Sequence, residues 1–88
     1  MKMIVAIIRD VDNEPVSQSL VQAGYRVTRI ASTGGFLRRG YSTLMIGVED
    51  EKVEAAIEVI RANTSPPDEP GMKRATLFVL NVARFSQV

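Results

Sequence analysis

The residues best suited to binding chemistry lie in one short segment, residues 33–40, with the sequence TGGFLRRG. The segment combines three glycines, two arginines and the apolar pair Phe36 and Leu37. Glycines such as Gly34 and Gly35 can adopt positive φ angles and let a ligand approach the main chain. Successive backbone amides in such a turn can hold an anion. The segment therefore predicts either an anion-binding loop or an ordinary basic hairpin loop.

Arg26 and Thr28 form a second group with binding potential. They alternate along a predicted strand, residues 25–31, and therefore point to the same face of the sheet. An arginine holds phosphate through a charged fork, and a threonine hydroxyl can add a hydrogen bond. The pair favours a phosphate site. The alternative is that Arg26 is a solvated charge at a sheet edge.

Phe36 and Gln87 supply groups that suit a nucleobase. Phe36 can stack on a purine face, and the amides near Gly35 and Leu37 can bind the purine edge or a phosphate. Gln87 can hydrogen-bond a base from the carboxyl-terminal tail. The alternative for Phe36 is that it anchors its loop in the core. Considered together, these residues favour a nucleotide-binding regulatory module.

The composition argues against most catalytic and metal chemistry. The 88 residues include no cysteine and no histidine, which removes thiolate chemistry and the commonest general base and metal ligand. The loop after the first strand is acidic, with Asp10, Asp12 and Glu14, and does not suit acylphosphatase-type anion binding. The remaining acid–base candidates are surface carboxylates on helices. We therefore expect no catalytic residue, no metal site and no cofactor.

The charge distribution indicates a small anionic ligand. The net charge is only +1, yet no acidic residue lies between Glu14 and Glu49, a stretch that holds several arginines. A local positive region suits a small anion better than a nucleic-acid polymer, which needs a broader basic face. The apolar run at residues 3–8 is too short to span a membrane or act as a signal peptide. We expect a cytoplasmic protein without membrane insertion.

The apolar pattern predicts six elements in the order βαββαβ, within a single domain over residues 1–88. The predicted strands are residues 3–8, 25–31, 42–48 and 75–82. This order is the ferredoxin-like pattern, an α+β fold with an antiparallel sheet and both helices on one face. The first strand is apolar throughout, so we expect it to be buried on both faces.

The two helices are predicted from apolar residues at helical spacing. Val16, Leu20 and Ala23 mark the buried stripe of the first helix, and Gly24 ends it. Asp50 is predicted to cap the second helix, whose buried stripe is Val53, Ala56, Ile57 and Ile60. Residues 63–71 contain three prolines and form a linker that is neither helix nor inner strand.

The sheet face opposite the helices also carries apolar residues, so we expect an oligomer that covers it. The same topology builds RNA-binding modules that stack bases on aromatic residues of the two central strands. Residues 3–8 and 42–48 contain no aromatic residue, so RNA binding is poorly supported.

Several motifs along the chain closely resemble those of the PII-like cyclic di-AMP receptor family. They are Met1-Lys2-x-Ile4 with Asp10, Arg26-x-Thr28, the STGGFLRxG run at residues 32–40, Thr43, Gly47-Val48 and Phe85-x-Gln87. The resemblance implies a homotrimer of ferredoxin-like subunits, with a cyclic dinucleotide in each cleft between neighbours and an unidentified protein partner downstream.

The resemblance also implies roles for individual residues. Arg26 and Thr28 would contact phosphate and sugar, and Gln87 would close the site. Gly35, Phe36, Leu37 and Gly47 would enclose an adenine. Tyr41 and Ser42 would belong to the same site. The predicted ligand-binding set is Arg26, Thr28, Gly35, Phe36, Leu37, Tyr41, Ser42, Gly47 and Gln87.

The chain departs from the family pattern at several positions. Tyr41 stands where family members have an asparagine that hydrogen-bonds adenine, Gly24 replaces another asparagine, and Ser42 replaces a threonine. The linker at residues 63–72 is shorter than the long signalling loop of the family. These departures leave an alternative function, a trimeric ferredoxin-like protein-interaction module that does not bind cyclic di-AMP.

Overall fold

The computed structural model describes residues 1–32, 40–66, 71 and 73–88. Its elements follow the predicted βαββαβ order, and each predicted strand lies within one residue of its observed bounds. The strands are β1 (Lys2–Arg9), β2 (Arg26–Ser32), β3 (Tyr41–Val48) and β4 (Ala75–Asn81), and the helices are α1 (Asn13–Gln22) and α2 (Val53–Ala62). Short 3-10 turns at Asp10–Asp12 and Asp50–Lys52 precede the two helices.

The four strands form one sheet in the order β2-β3-β1-β4, and every neighbouring pair is antiparallel. The sheet and two helices confirm the ferredoxin-like α+β fold. The register places Arg26 opposite Gly47 and Met3 opposite both Gly47 and Leu80. A bulge between Arg29 and Ala31 interrupts the pairing of β2 with β3.

The hydrophobic core lies between the helices and one face of the sheet. Alternate residues of the central strands are buried because successive strand side chains point to opposite faces. The buried apolar residues are Ile4, Ala6, Ile8, Leu44, Ile46 and Val48 from the sheet, with Val16, Leu20, Val53, Ala56 and Ile60 from the helices. Each large aliphatic side chain contributes about 1.5–3 kcal/mol by leaving water. The predicted stripe of α2 is confirmed.

Two predictions about the helix ends are wrong. Asp50 does not cap α2, because it lies in the preceding 3-10 turn, and the residue before the helix makes no side-chain cap bond. Its carboxylate instead contacts the amino-terminal ammonium at 3.1 Å. Ala23 is exposed, because α1 ends before it, and Gly24 takes φ +94° as expected of a helix-ending glycine. Among the described residues, no helix is long and apolar enough to cross a membrane.

No described helix or strand of this chain covers the sheet face opposite the helices. The prediction that β1 is buried on both faces is wrong for the single chain, because alternate residues such as Met3 and Val5 are only half-buried. On the edge strand β4, Phe78 and Leu80 are 52% and 45% exposed. They pair with Val5 and Met3 and therefore belong to the same face. This face is called the open face below.

Candidate functional site

A cavity of about 360 Å³ lies on the open face, at the end of the sheet where β2 begins and β3 ends. Its lining comes from β1, β2, β3 and the tail, which are distant in sequence. The lining residues are Met1, Met3, Arg26, Thr28, Ile30, Met45, Gly47, Val82, Arg84, Phe85 and Gln87. Four of the predicted binding residues, Arg26, Thr28, Gly47 and Gln87, therefore meet in one place.

Strand register explains why Arg26, Thr28 and Gly47 share this cavity. Arg26 pairs with Gly47 and Thr28 with Met45, so all four positions point to the open face. A Cβ atom added at Gly47 would lie 3.1 Å from the terminal methyl of Met1. Because Gly47 has no side chain, the cavity floor is backbone there, which allows close approach of a ligand.

The carboxyl-terminal tail forms the second wall of the cavity. The amide of Val82 donates a hydrogen bond of 3.2 Å to the carbonyl of Met1, which holds the start of the tail beside β1. Arg26 then lies over the ring of Phe85, with 5.7 Å from its Cζ to the ring centroid. That distance is in the range of a cation–π interaction. The tail thus positions an aromatic ring, 55% exposed, next to a cation.

The cavity is positively charged and otherwise largely apolar. Arg26 and Arg84 are its charged residues, and no acidic residue is among the described residues that line it. The Arg84 Nε donates a hydrogen bond of 3.2 Å to the Ser86 hydroxyl. Three methionine side chains supply adaptable apolar surface. This combination suits a ligand that carries both an anionic group and a flat apolar ring.

Tyr41 and Ser42 lie at the other end of β3. Tyr41 is six residues from Gly47, a separation of roughly 20 Å at about 3.3 Å per residue. Tyr41 is 43% exposed and pairs with Arg9 at the sheet end that leads into residues 33–39. Ser42 is fully buried on the helix side, and its hydroxyl donates a 2.5 Å hydrogen bond to Asp10. The structure does not bring either residue to the cavity of the same chain.

Gly35, Phe36 and Leu37, the remaining predicted binding residues, lie outside the described residues. The segment that contains them re-enters the described structure at Gly40, which is buried. The carbonyl of Gly40 accepts a hydrogen bond of 2.9 Å from the amide of Asp10. Asp10 thus contacts both Gly40 and Ser42, which fixes the position where β3 begins.

A second polar cluster holds the chain after α2 against the turn that follows β1. The Asp12 carboxylate accepts hydrogen bonds from the Ser65 amide at 3.0 Å and the Ser65 hydroxyl at 2.8 Å. Arg9 donates to the Ser65 and Pro66 carbonyls at 2.7 and 3.0 Å. Its Nε lies 3.6 Å from Asp12, which is only 3% exposed. These contacts fix residues 65 and 66 at the start of the linker.

Comparison with known proteins identifies the family. Residues 1–72 match the sequence profile of a family described as cyclic-di-AMP receptor. This chain belongs to the cyclic-di-AMP receptor family. The match covers β1 to α2 and the linker, whereas β4 and the tail that carries Arg84 and Gln87 lie beyond it.

A solved structure supports the relationship. The crystal structure of a functionally unknown protein from Pediococcus pentosaceus superposes with a TM-score of 0.78 at 33% identity. The alignment covers 99% of this chain and 96% of the other chain. Members of the cyclic-di-AMP receptor family are described as nucleotide receptors, so the match supports a binding function.

Several residues that line the cavity are absent from the set predicted from the sequence. Arg84 is not among the binding residues predicted from the sequence, although it directly precedes Phe85 in the tail. Met3 and Met45 were assigned to strands but not to the site. Antiparallel pairing of β1 with β3 places Met3 opposite Gly47. The predicted ferredoxin-like topology could therefore have placed Met3 at the site.

The described residues show one clear electrostatic perturbation and no metal centre. Hydrogen bonding to the amino-terminal ammonium lowers the pKa of Asp50 below its ordinary value. In residues 1–32, 40–66, 71 and 73–88, no three acidic, histidine or cysteine side chains are grouped as a metal site requires.

Proposed function

We propose that this protein is a non-catalytic trimeric sensor that binds cyclic di-AMP, or a related adenine nucleotide, in clefts between subunits. The observation that carries the proposal is the cavity that unites Arg26, Thr28, Gly47 and Gln87 on the open face. Membership of the cyclic-di-AMP receptor family supports this choice of ligand. We also propose a cytoplasmic location, where nucleotide second messengers act.

The chemistry of the cavity suits a nucleotide phosphate beside a purine. Arg26 offers a forked charged donor, and Thr28, on the same face, adds a hydroxyl. The half-exposed ring of Phe85 offers a stacking surface next to Arg26. Gly47 leaves room for an adenine to lie against the strand, and Gln87 supplies both a donor and an acceptor for its edge.

The distribution of the predicted residues supports a site completed by a second subunit. Tyr41 lies roughly 20 Å along β3 from Gly47. The open face exposes Phe78 and Leu80, which an oligomer would remove from water. In a trimer, Gly35, Phe36 and Leu37 complete the pocket for a ligand that extends along the cleft. Light scattering should give three times the monomer mass, and a monomer at working concentration would disprove the inter-subunit site.

Calorimetric titration with cyclic di-AMP, cyclic di-GMP and ATP tests the ligand. We expect saturable binding of an adenine nucleotide, lost in Arg26→Ala. Arg29→Ala is the matched control, because Arg29 is also an exposed arginine of β2 but pairs with buried Leu44 and does not line the cavity. Equal losses in both variants would show that net charge, not the cavity, controls binding.

A trimeric interaction module without nucleotide binding is the second candidate. It is favoured by Tyr41, a bulky exposed residue where the family pattern has asparagine. It predicts a trimer that releases no heat with any of the three nucleotides, together with unchanged thermal unfolding when they are added. Binding of any adenine nucleotide by the wild-type protein would reject it.

A further inference from the structure

A second cavity lies between α2 and β4, and none of its lining residues belongs to the site described above. Its volume is about 430 Å³, within the range of small-ligand pockets. The apolar wall consists of Ile57, Ile60, Ala75 and Leu77. Ile60 is a core residue, and the other three pack against the core. The wall is therefore held by the packing of a helix on the sheet.

The rim of this cavity is cationic. Arg61, Lys73 and Arg74 line it together with Thr64, and no described acidic residue lines it. Lys73 and Arg74 are exposed, and neither makes a hydrogen bond or ion pair in the structure as described. Arg61 pairs with Glu58 one helical turn earlier. Such an exposed pair is worth little and yields readily to another anion.

This cavity is separate from the candidate nucleotide site. It lies near Ala75, the first residue of β4. The open-face cavity lies near Met3, whose partner Leu80 is close to the last residue of β4. Ala75 and Leu80 are roughly 16 Å apart along β4 at about 3.3 Å per residue. The two cavities also open on opposite faces, because Ala75 and Leu77 pack against the helix-side core. A ligand in one cavity does not occupy the other.

We propose that the α2–β4 cavity binds a small amphipathic anion, a phosphate, sulfonate or carboxylate group joined to an apolar or aromatic body. Lys73 and Arg74 contact the anionic group, and the body lies on Ile60 and Leu77. An inorganic anion would leave the apolar wall in water, so an apolar body adds binding free energy. The carboxyl end of α2 carries a partial negative charge, which places the anion on the β4 side of the cavity.

The test uses the full chain and 1-anilinonaphthalene-8-sulfonate, an aromatic sulfonate whose fluorescence rises in apolar surroundings. We expect the double variant Lys73→Ala/Arg74→Ala to weaken dye binding at least roughly tenfold, because charge-assisted contacts are lost. Arg29→Ala/Lys52→Ala removes the same charge from exposed positions outside both cavities and should change binding less than about twofold. Circular dichroism should show all variants folded.

Two further measurements localise the dye. N-phenyl-1-naphthylamine, which lacks the sulfonate, should bind the wild-type protein more weakly and be insensitive to the Lys73→Ala/Arg74→Ala change. Methyl NMR signals of Ile57, Ile60 and Leu77 should shift on titration with the sulfonate dye. An equal loss in the control double variant, or a comparable loss in Arg26→Ala, would overturn the proposal. Methyl shifts confined to the open face, at Leu80, would also overturn it.

Discussion

Replacing Gly47 by valine should weaken ligand binding without lowering the stability of the fold. Gly47 is a backbone position of the cavity floor, where an added Cβ would lie 3.1 Å from the Met1 methyl. That methyl ends a flexible side chain and can move, so the protein should tolerate the substitution. Glycine is unfavourable within a strand, and a β-branched residue suits a strand, so stability should stay the same or rise by up to about 1 kcal/mol.

The same substitution should weaken nucleotide binding strongly. Two γ-methyl groups would project from the cavity floor opposite Arg26, in the space assigned to the adenine. We expect a loss of at least about tenfold, or 1.4 kcal/mol, because the ligand must shift away from Arg26 and the strand. Gly47→Ala should show a smaller loss, since it adds one methyl group that the Met1 side chain can accommodate.

Calorimetry and thermal unfolding of the same samples would measure both effects. Thr43→Val is the matched control, because Thr43 lies on the same strand and face but outside the cavity lining. It should change neither property by much. If Gly47→Val binds as tightly as the wild-type protein, the adenine does not lie against β3. If Gly47→Val unfolds readily, the cavity floor is packed more tightly than the structure indicates.

Three further predictions concern other contacts. Asp12→Ala should reduce the unfolding free energy by about 1–3 kcal/mol, because it removes a buried carboxylate that accepts hydrogen bonds from the Ser65 amide and hydroxyl; urea unfolding checks this, and a cost as small as that of the exposed-acid control Glu54→Ala would contradict it. Tyr41→Asn should tighten cyclic di-AMP binding by about 1–3 kcal/mol if it restores a buried hydrogen-bonding group, and unchanged calorimetric affinity would reject that role. Because the pKa of Asp50 is lowered, its ion pair with the amino-terminal ammonium stabilises the fold at pH values above the ordinary pKa of aspartate. This stabilisation is lost as the pH falls through the lowered pKa. NMR titration of the carboxyl group should show the low midpoint, and acetylation of the amino-terminal ammonium should raise it.

The element order and part of the site were predictable because they depend on local patterns. β-Branched and apolar runs predicted the four strands, and period-two alternation placed Arg26 and Thr28 on one face. The same alternation groups Ser42 with Leu44 and Ile46, so its burial on the helix side was also readable from the sequence. The resemblance to known receptors included Ser42 in the site, whereas in the structure its hydroxyl bonds to Asp10.

The sequence by itself determined the fold class, the faces of the strands and the family, because these depend on neighbouring residues and short motifs. Only the tertiary structure brought Arg84 to Arg26, and Ser65 to Asp12, pairs more than fifty residues apart. It also showed that Ser32 and Tyr41, the strand ends that flank the glycine-rich residues 33–40 in sequence, lie at the opposite end of the sheet from Arg26. Such distances follow from strand register and from the packing of remote segments, which no local pattern specifies.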